Sequence, residues 1–162
     1  MFKWIFRGDH VELSIEWREN PLLVRVYLFA CKKTCKDLDS EVETRRLVNT
    51  CAQAIIPVTS IASIHQILQG AVYYSLCASK QRRFRNRGLL LAALILGTTQ
   101  IEELTKLLEK TFEASNEYYL VGVDCKLDSL EGCYPLEVRS LLEKPPTMHA
   151  LVKNALVPLS LT

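Results

Sequence analysis

The architecture of this chain is set by residues 60–108, which read SIASIHQILQGAVYYSLCASKQRRFRNRGLLLAALILGTTQIEELTKLL. Apolar residues at helical spacing predict a helix from Ser60 to Ser79. A basic loop, Lys80–Arg87, follows this helix. Eight consecutive apolar residues, Leu89–Leu96, then predict a strand that is buried on both faces and central in its sheet. A turn and a second helix from Ile101 complete the stretch.

Further strand and helix patterns flank this stretch on both sides. Strands are predicted where β-branched and aromatic residues gather, at Phe2–Phe6, Val11–Trp17, Leu22–Ala30, Ala54–Val58 and Tyr118–Val123. Helices are predicted at Ser40–Ala52 and Leu136–Glu143, and in a last segment with Thr147 as its cap. This order predicts one α/β (α+β) domain over residues 1–162. Its core is a mixed, largely antiparallel central sheet covered by helices, and residues 144–162 form a C-terminal helix and tail.

Size and composition are typical of a folded single domain. The chain has 162 residues, and 49% of them are hydrophobic, which is enough to build a core. The longest apolar run is far shorter than the roughly 20 residues that a membrane span needs, so no membrane partner is expected. The six cysteines lie among apolar residues, and no secretory signal precedes them. We therefore predict reduced, buried cysteines and a cytoplasmic protein, with the nucleus as a further location in a eukaryote.

Positive charge is concentrated in the central part of the chain. From Thr44 to Ile101 the net charge is +7, whereas the whole chain carries +2. Segregated positive charge is typical of proteins with a polyanionic partner. The basic loop places five cations around Phe84, and arginine with an aromatic ring suits unstacked RNA bases. A solvated loop that only maintains solubility is an equally good interpretation from composition alone.

Signals of catalysis are weak. The glycines are scattered, so there is no phosphate-binding loop, and His10, His65 and His149 fall in three different predicted elements. Cys31 and Cys35 are four residues apart without a matched second pair, which is poor support for zinc. We therefore expect a protein that is not an enzyme and has no cofactor and no metal.

Two apolar helix faces have two interpretations. One face carries Tyr73 and Tyr74. The other is a C-terminal stripe at helical spacing, made of Met148, Leu151, Val152, Ala155 and Leu156. Core packing is the simpler explanation for both faces. A groove for a partner protein is the alternative, because a helix that is apolar on two sides needs two covers.

Three segments together resemble a known family. Residues 63–71, SIHQILQGA, are similar to the start of the long helix in the smallest subunit of the KEOPS complex, the family of the PRPK-binding protein. Residues 96–104, LGTTQIEEL, are similar to the run before that family's next helix, and residues 151–156, LVKNAL, resemble its final helix. The chain departs from the family at Leu90 and Leu96, where relatives often carry polar residues.

The resemblance implies a non-catalytic subunit that recruits tRNA. Such a protein would bind the atypical kinase/ATPase subunit of KEOPS, hold the single-stranded CCA end of tRNA, and contact the other KEOPS subunits indirectly. The complex installs threonylcarbamoyl on adenosine. Carried over to this chain, the RNA-binding residues would be Lys80, Arg82, Arg83, Phe84, Arg85, Arg87 and, less directly, His65. The partner-binding residues would be Tyr73, Tyr74, Met148, Leu151 and Val152.

Two other functions are compatible with the sequence. The first is a protein-interaction scaffold or regulator of an atypical kinase that does not bind RNA. The second is a small zinc or cysteine enzyme, which would need bound metal or a thiol with a lowered pKa.

Overall fold

The computed structural model describes residues 2–17, 19–145 and 148–158. One antiparallel sheet has the strand order β1-β2-β3-β5-β4, and β6 pairs with β3. The strands are β1 (Phe2–Phe6), β2 (His10–Trp17), β3 (Asn20–Lys32), β4 (Ala52–Pro57), β5 (Glu117–Val123) and β6 (Cys133–Pro135). The helices are α1 (Leu38–Thr44), α2 (Ile64–Cys77), α3 (Arg87–Leu96), α4 (Ile101–Ala114), α5 (Val138–Leu142) and α6 (Met148–Ala155). The predicted α+β class is confirmed. Thr147 and the end of the predicted tail, residues 159–162, lie outside the described residues.

The sheet buries both faces in its centre. On one face, alternate residues such as Val11, Val26 and Val121 pack under α2 and α3. On the other face a smaller core gathers Phe29, Leu120 and Phe112 under α1 and the loop after β5. Strand β4 is buried along its whole length although it lies at the edge of the sheet, because α3 and α4 pack against it.

The predicted central strand Leu89–Leu96 is wrong, since these residues belong to helix α3. Leucine and alanine dominate the run, and both have high helix propensity, whereas β-branched residues are few. Asn86 caps the helix, its Oδ1 accepting from the Leu89 backbone at 3.2 Å, and Gly97 ends it in the left-handed region at φ 77°. The run is uniformly apolar because the helix is buried almost all round. Periodicity alone does not distinguish such a helix from a buried strand.

Among the described residues, no single helix is long and apolar enough to cross a membrane. The pair α3 and α4 has sufficient combined length and composition, but the chain bends by 79° between them.

The predicted helix Ser40–Ala52 is shorter in the structure and begins earlier. Asp37 is the cap, and its Oδ1 accepts from the Ser40 backbone at 2.8 Å. The helix ends at Thr44, and Arg46 then takes a left-handed backbone with φ 56°. This turn redirects the chain so that Ala52 begins strand β4, where it pairs with Val123.

The prediction of six reduced cysteines is corrected by two disulfides. Cys31 bonds to Cys133, which faces it in the β3–β6 pairing, and Cys51 bonds to Cys125. Cys35 and Cys77 are free thiols, and of these only Cys77 is buried. Cys31 and Cys51 are therefore disulfide-bonded and offer no free thiolate to a metal. The partners are 102 and 74 residues apart in sequence, so only the tertiary fold could reveal them.

Candidate nucleic-acid and partner interfaces

The cationic loop, Lys80–Arg87, leaves the end of α2 in a tight turn. The backbones of Lys80 and Gln81 both donate to the carbonyl of Cys77, at 3.0 and 3.1 Å. The loop then enters α3 at Arg87. Four of its cations have exposed side chains, namely Lys80, Arg82, Arg83 and Arg85. Four of the predicted RNA-binding residues are therefore exposed in one short loop.

Phe84 is buried at 4% exposure, so the prediction that it stacks on a base is corrected. Its backbone nitrogen donates to Gln81 Oε1 at 2.8 Å, and its carbonyl accepts from Gln81 Nε2 at 2.9 Å. Gln81 is itself buried, so these bonds form away from water. The ring anchors the loop to the core and thereby turns the neighbouring arginines outward.

Arg87 fastens the far end of the loop. Its Nη1 donates to the carbonyl of Ala78 at 2.8 Å, and its backbone nitrogen donates to the carbonyl of Asn49 at 2.8 Å. Burial raises the pKa of Tyr74, and the neighbouring Arg87 guanidinium partly offsets that rise. Arg87 is half-buried. It therefore supports the loop more than it presents charge to a ligand.

Charge on the loop is available for a partner. Within the described residues, the ion pairs lie away from the cationic loop. One group involves Glu12 and Asp9 near the first three strands, and the other pair is Glu41 with Arg45. None of these ion pairs involves the four exposed cations. The side chain of Arg83 makes a long hydrogen bond of 3.5 Å, from its Nη1 to the carbonyl of Thr99. Unpaired, solvent-exposed arginines keep their donors free for phosphate oxygens.

His65 does not join the cationic loop. It lies in the first turn of α2, whose length separates His65 from Cys77 by about 18 Å along the helix axis. His65 is half-buried, and its Nδ1 has no hydrogen-bond partner among the described residues. The structure thus places His65 at the opposite end of the helix from the other RNA-binding candidates.

Helix α6 presents an apolar ridge to solvent. Met148 and Val152 lie one helical turn apart and are each 61% exposed. Leu151 is half-buried instead, and its carbonyl accepts from Gln69 Nε2 of α2 at 2.8 Å. The ridge, defined as Met148 and Val152, therefore points away from the core. We expect a surface of this kind at a protein contact.

The inward face of α6 is polar at its centre, which the sequence pattern did not predict. Asn154 is 1% exposed, and its Nδ2 donates to the carbonyl of Ile95 in α3. The side chain rests on Gly97, where any Cβ would overlap Asn154 Oδ1. Asn154 thereby satisfies a carbonyl at the end of α3 and fixes the rotation of α6. This rotation turns Met148 and Val152 outward.

Tyr73 and Tyr74 are half-buried and pack against the main core. The hydroxyl of Tyr73 accepts from Gln69 Nε2 at 3.4 Å, which places it beside Leu151 and α6. Tyr74 lies beside Arg87 and the cationic loop. The two tyrosines therefore have different neighbours, Tyr73 beside Leu151 of α6 and Tyr74 beside Arg87.

The structure also contains features that no sequence signal marked. A cavity of about 360 Å³ lies between the β1–β2 turn and α5, where Arg139 stacks on Phe6 at 4.8 Å. A smaller apolar cleft of about 140 Å³ borders the cationic loop and is lined by Asn49, Asn86 and Leu89, among others. No cluster of metal-ligating side chains is found in the described ranges.

No family model, no curated protein and no solved structure matches this chain. The fold and the two surfaces define it as an α+β domain with an exposed cationic loop and a separate apolar ridge. These two surfaces are the basis on which its function is argued.

Proposed function

We propose that the chain is a non-catalytic RNA-recruiting subunit that holds a single-stranded tRNA end. The observation that carries this proposal is the cationic loop, whose four exposed cations have no carboxylate partner among the described residues. Phosphate contacts by such cations supply the sequence-independent part of the affinity of nucleic-acid-binding proteins. Because Phe84 is buried, the loop recognises the backbone of the strand, and base stacking on this residue forms no part of the proposal.

The assembly we propose is the KEOPS complex, which forms threonylcarbamoyladenosine in tRNA. The resemblance of residues 63–71 and 96–104 to its smallest subunit supports this choice. In that setting the chain binds the atypical kinase/ATPase subunit and offers the cationic loop to the CCA end of tRNA. It acts without catalysis and without a cofactor of its own. The location this function implies is the cytoplasm, with the nucleus as a second location in a eukaryote.

The RNA function is tested by measuring the affinity for intact tRNA and for tRNA that lacks its CCA end, at two salt concentrations. Arg83→Glu with Arg85→Glu reverses two exposed charges on the cationic loop. Lys106→Glu with Lys110→Glu reverses two exposed charges on α4 and is the matched control. We expect intact tRNA to bind more tightly and only the loop variant to lose that advantage. Each lost phosphate contact lowers the salt slope by about 0.7 for a single strand.

Equal binding of both tRNAs, or equal loss in both variants, contradicts a specific role for the loop. Complete absence of tRNA binding at low salt favours the alternative, a scaffold or regulator of the kinase that does not bind RNA. The exposed ridge of α6 supports this second candidate function, because an exposed apolar surface is suited to binding a protein and does not require RNA.

The kinase contact is tested on the α6 ridge. Met148→Ser with Val152→Ser removes two exposed apolar side chains, and Leu23→Ser with Leu107→Ser removes two that are exposed elsewhere, at 46% and 37%. We expect only the ridge variant to weaken binding of the KEOPS kinase/ATPase subunit in a direct titration. A fall of tenfold or more corresponds to about 1.4 kcal/mol, which two buried interface side chains readily supply. Unchanged affinity in the ridge variant removes α6 from the interface.

A further inference from the structure

The disulfide Cys51–Cys125 lies where the segment before β4 meets the loop after β5. Cys51 directly precedes Ala52, whose partner in the sheet is Val123, and Cys125 follows two residues after that partner. Both cysteines are half-exposed, whereas in the other disulfide Cys133 is half-exposed and Cys31 is 1% exposed, so that one of its two cysteines is buried. A reductant therefore reaches Cys51–Cys125 more readily, because thiol–disulfide exchange needs access to a sulfur.

This disulfide is connected to the cationic loop through one short segment. The turn segment, Arg46–Thr50, has mostly exposed side chains and is fixed at both ends. At its start, Arg45 is buried and its Nη1 donates to the carbonyl of Glu131 at 2.6 Å. At its end, the fixed point is the disulfide at Cys51.

The turn segment in turn supports the start of α3. The carbonyl of Asn49, two residues before Cys51, accepts from the Arg87 backbone at 2.8 Å. Gln53 connects the turn segment to the loop after β5. Its Oε1 accepts from the Val48 backbone at 3.2 Å, and its Nε2 donates to the carbonyl of Lys126 at 3.0 Å. Arg87 is the residue at which the cationic loop becomes helix. The disulfide thus stabilises the platform from which the loop projects.

We propose that Cys51–Cys125 is a reversible redox clamp on the turn segment that controls RNA binding by the cationic loop. The inference rests on the RNA function proposed above and adds its regulation. A dithiol reductant opens the clamp. One of its thiolates attacks a sulfur of the disulfide to form a mixed disulfide, and its second thiolate then displaces the remaining protein thiolate. Two electrons and two protons pass to Cys51 and Cys125, which become thiols, while the dithiol becomes a disulfide.

Opening the clamp leaves the Ala52–Val123 pairing and the side chain of Gln53 to hold this corner, and it loosens the end of the turn segment nearest Asn49. The Arg87–Asn49 hydrogen bond then breaks more often, so the loop samples more conformations. An ordered cationic loop binds RNA with a smaller entropic cost than a mobile one, so affinity falls when the clamp opens. In a reducing compartment the protein is expected to be in the open, weaker-binding form, and under oxidising conditions in the closed form.

The test compares the oxidised wild type, the wild type treated with dithiothreitol, and two double variants. Cys51→Ser with Cys125→Ser is permanently open, and Cys31→Ser with Cys133→Ser is the matched control in which the clamp remains. Each form is checked for folding by circular dichroism. Hydrogen exchange of the Arg87 amide and affinity for intact tRNA are then measured. We expect both open forms to exchange faster at Arg87 and to bind tRNA roughly fivefold more weakly. The oxidised control variant is expected to match the oxidised wild type.

Unchanged exchange at Arg87 in both open forms overturns the clamp, whatever the RNA result. Faster exchange with unchanged tRNA affinity overturns the control of RNA binding and leaves the proposed RNA function intact. Absence of tRNA binding in every form, oxidised wild type included, overturns the proposed function and the RNA control together. The exchange of Arg87 then still decides whether the disulfide orders the loop.

Discussion

At the scale of single residues, the most constrained group is the carboxylate of Glu41. It is fully buried and accepts from the hydroxyl of Tyr118 at 2.6 Å and from the backbone of Cys35 at 2.7 Å. Tyr118 in turn accepts from Arg45 Nε at 2.6 Å. Burial and the bond to Glu41 raise the pKa of Tyr118 far above its usual range, so its hydroxyl keeps the proton that it donates. This network joins α1 to the centre of the sheet.

The free energy of unfolding should depend on pH through the ionisation of Glu41. Burial raises the pKa of this carboxyl, but hydrogen bonds from Tyr118, Thr34 and Cys35 outweigh burial, and the net pKa lies below the ordinary value of 4.5. A lowered folded pKa means that the stabilisation is complete well above pH 4.5 and is lost as pH falls through the folded pKa. Glu41→Gln leaves Arg45 without its charge partner, so we expect a loss of about 3 kcal/mol at pH 7.

Urea unfolding of Glu41→Gln and the wild type, from pH 7 to pH 3, measures this effect. The gap between them should narrow as the pH drops, because protonated Glu41 resembles glutamine. Glu43→Gln, an exposed site on the same helix, is the control and should follow the wild type. A gap that is constant across this range contradicts the assignment of Glu41 as the ionised centre.

At the scale of elements, the contact between α3 and α6 decides which face of α6 is free. Gly97 ends α3 with φ 77°, and its missing side chain leaves room for Asn154. Asn154 then satisfies the carbonyl of Ile95. The position therefore requires glycine for two reasons, backbone conformation and space.

Three glycine-to-alanine variants separate these two reasons. In Gly97→Ala the new side chain has a left-handed backbone and overlaps Asn154. In Gly132→Ala the backbone is also left-handed, with φ 72°, but the space around Cβ is open. Gly8→Ala has neither unfavourable feature. We expect losses in the free energy of unfolding of about 3, about 1 and roughly 0 kcal/mol respectively. Thermal denaturation at pH 7 ranks the three variants by their loss of stability. Equal losses for Gly97→Ala and Gly132→Ala refute the overlap.

The two faces of α6 should respond differently to mutation. Asn154→Ala removes one of two donors to the buried Ile95 carbonyl and leaves the long bond from Gln66 Nε2 at 3.5 Å, so it should cost about 1–2 kcal/mol. Met148→Ser with Val152→Ser changes only exposed side chains, so stability should stay within about 0.5 kcal/mol of the wild type. Chemical denaturation of both variants checks this contrast. A large loss in the serine variant means that the ridge is packed within the domain and is not free for a partner.

At the scale of the whole molecule, the two disulfides join distant parts of the chain. They close loops between partners separated by 102 and 74 residues. Such loops restrict the unfolded chain strongly, so removing either disulfide should lower the free energy of unfolding by about 2–5 kcal/mol. Urea unfolding of the two double serine variants under oxidising conditions measures each cost. With dithiothreitol present, the wild type and both variants should converge, and persistent differences would show that the serines act by another route.

Much of the element order follows from local patterns. The strands near the N terminus, the helix predicted at Ser60–Ser79 and the last helix have local signals in their apolar spacing or caps, and the structure contains each of them, the first of these helices as Ile64–Cys77. The exposure of Arg82, Arg83 and Arg85 also agreed with their charge. The uniformly apolar run Leu89–Leu96 was misassigned, since a buried helix and a buried strand have the same pattern.

The sequence by itself determined the fold class, the position of the cationic loop and the presence of most helices, since these depend on neighbouring residues. The tertiary structure alone decided what lies inside. It buried Phe84, paired the cysteines, turned Met148 outward and placed His65 far from the loop. Each of these depends on contacts between residues that are distant in sequence, and no local spacing encodes which of two chemically similar side chains meets the core.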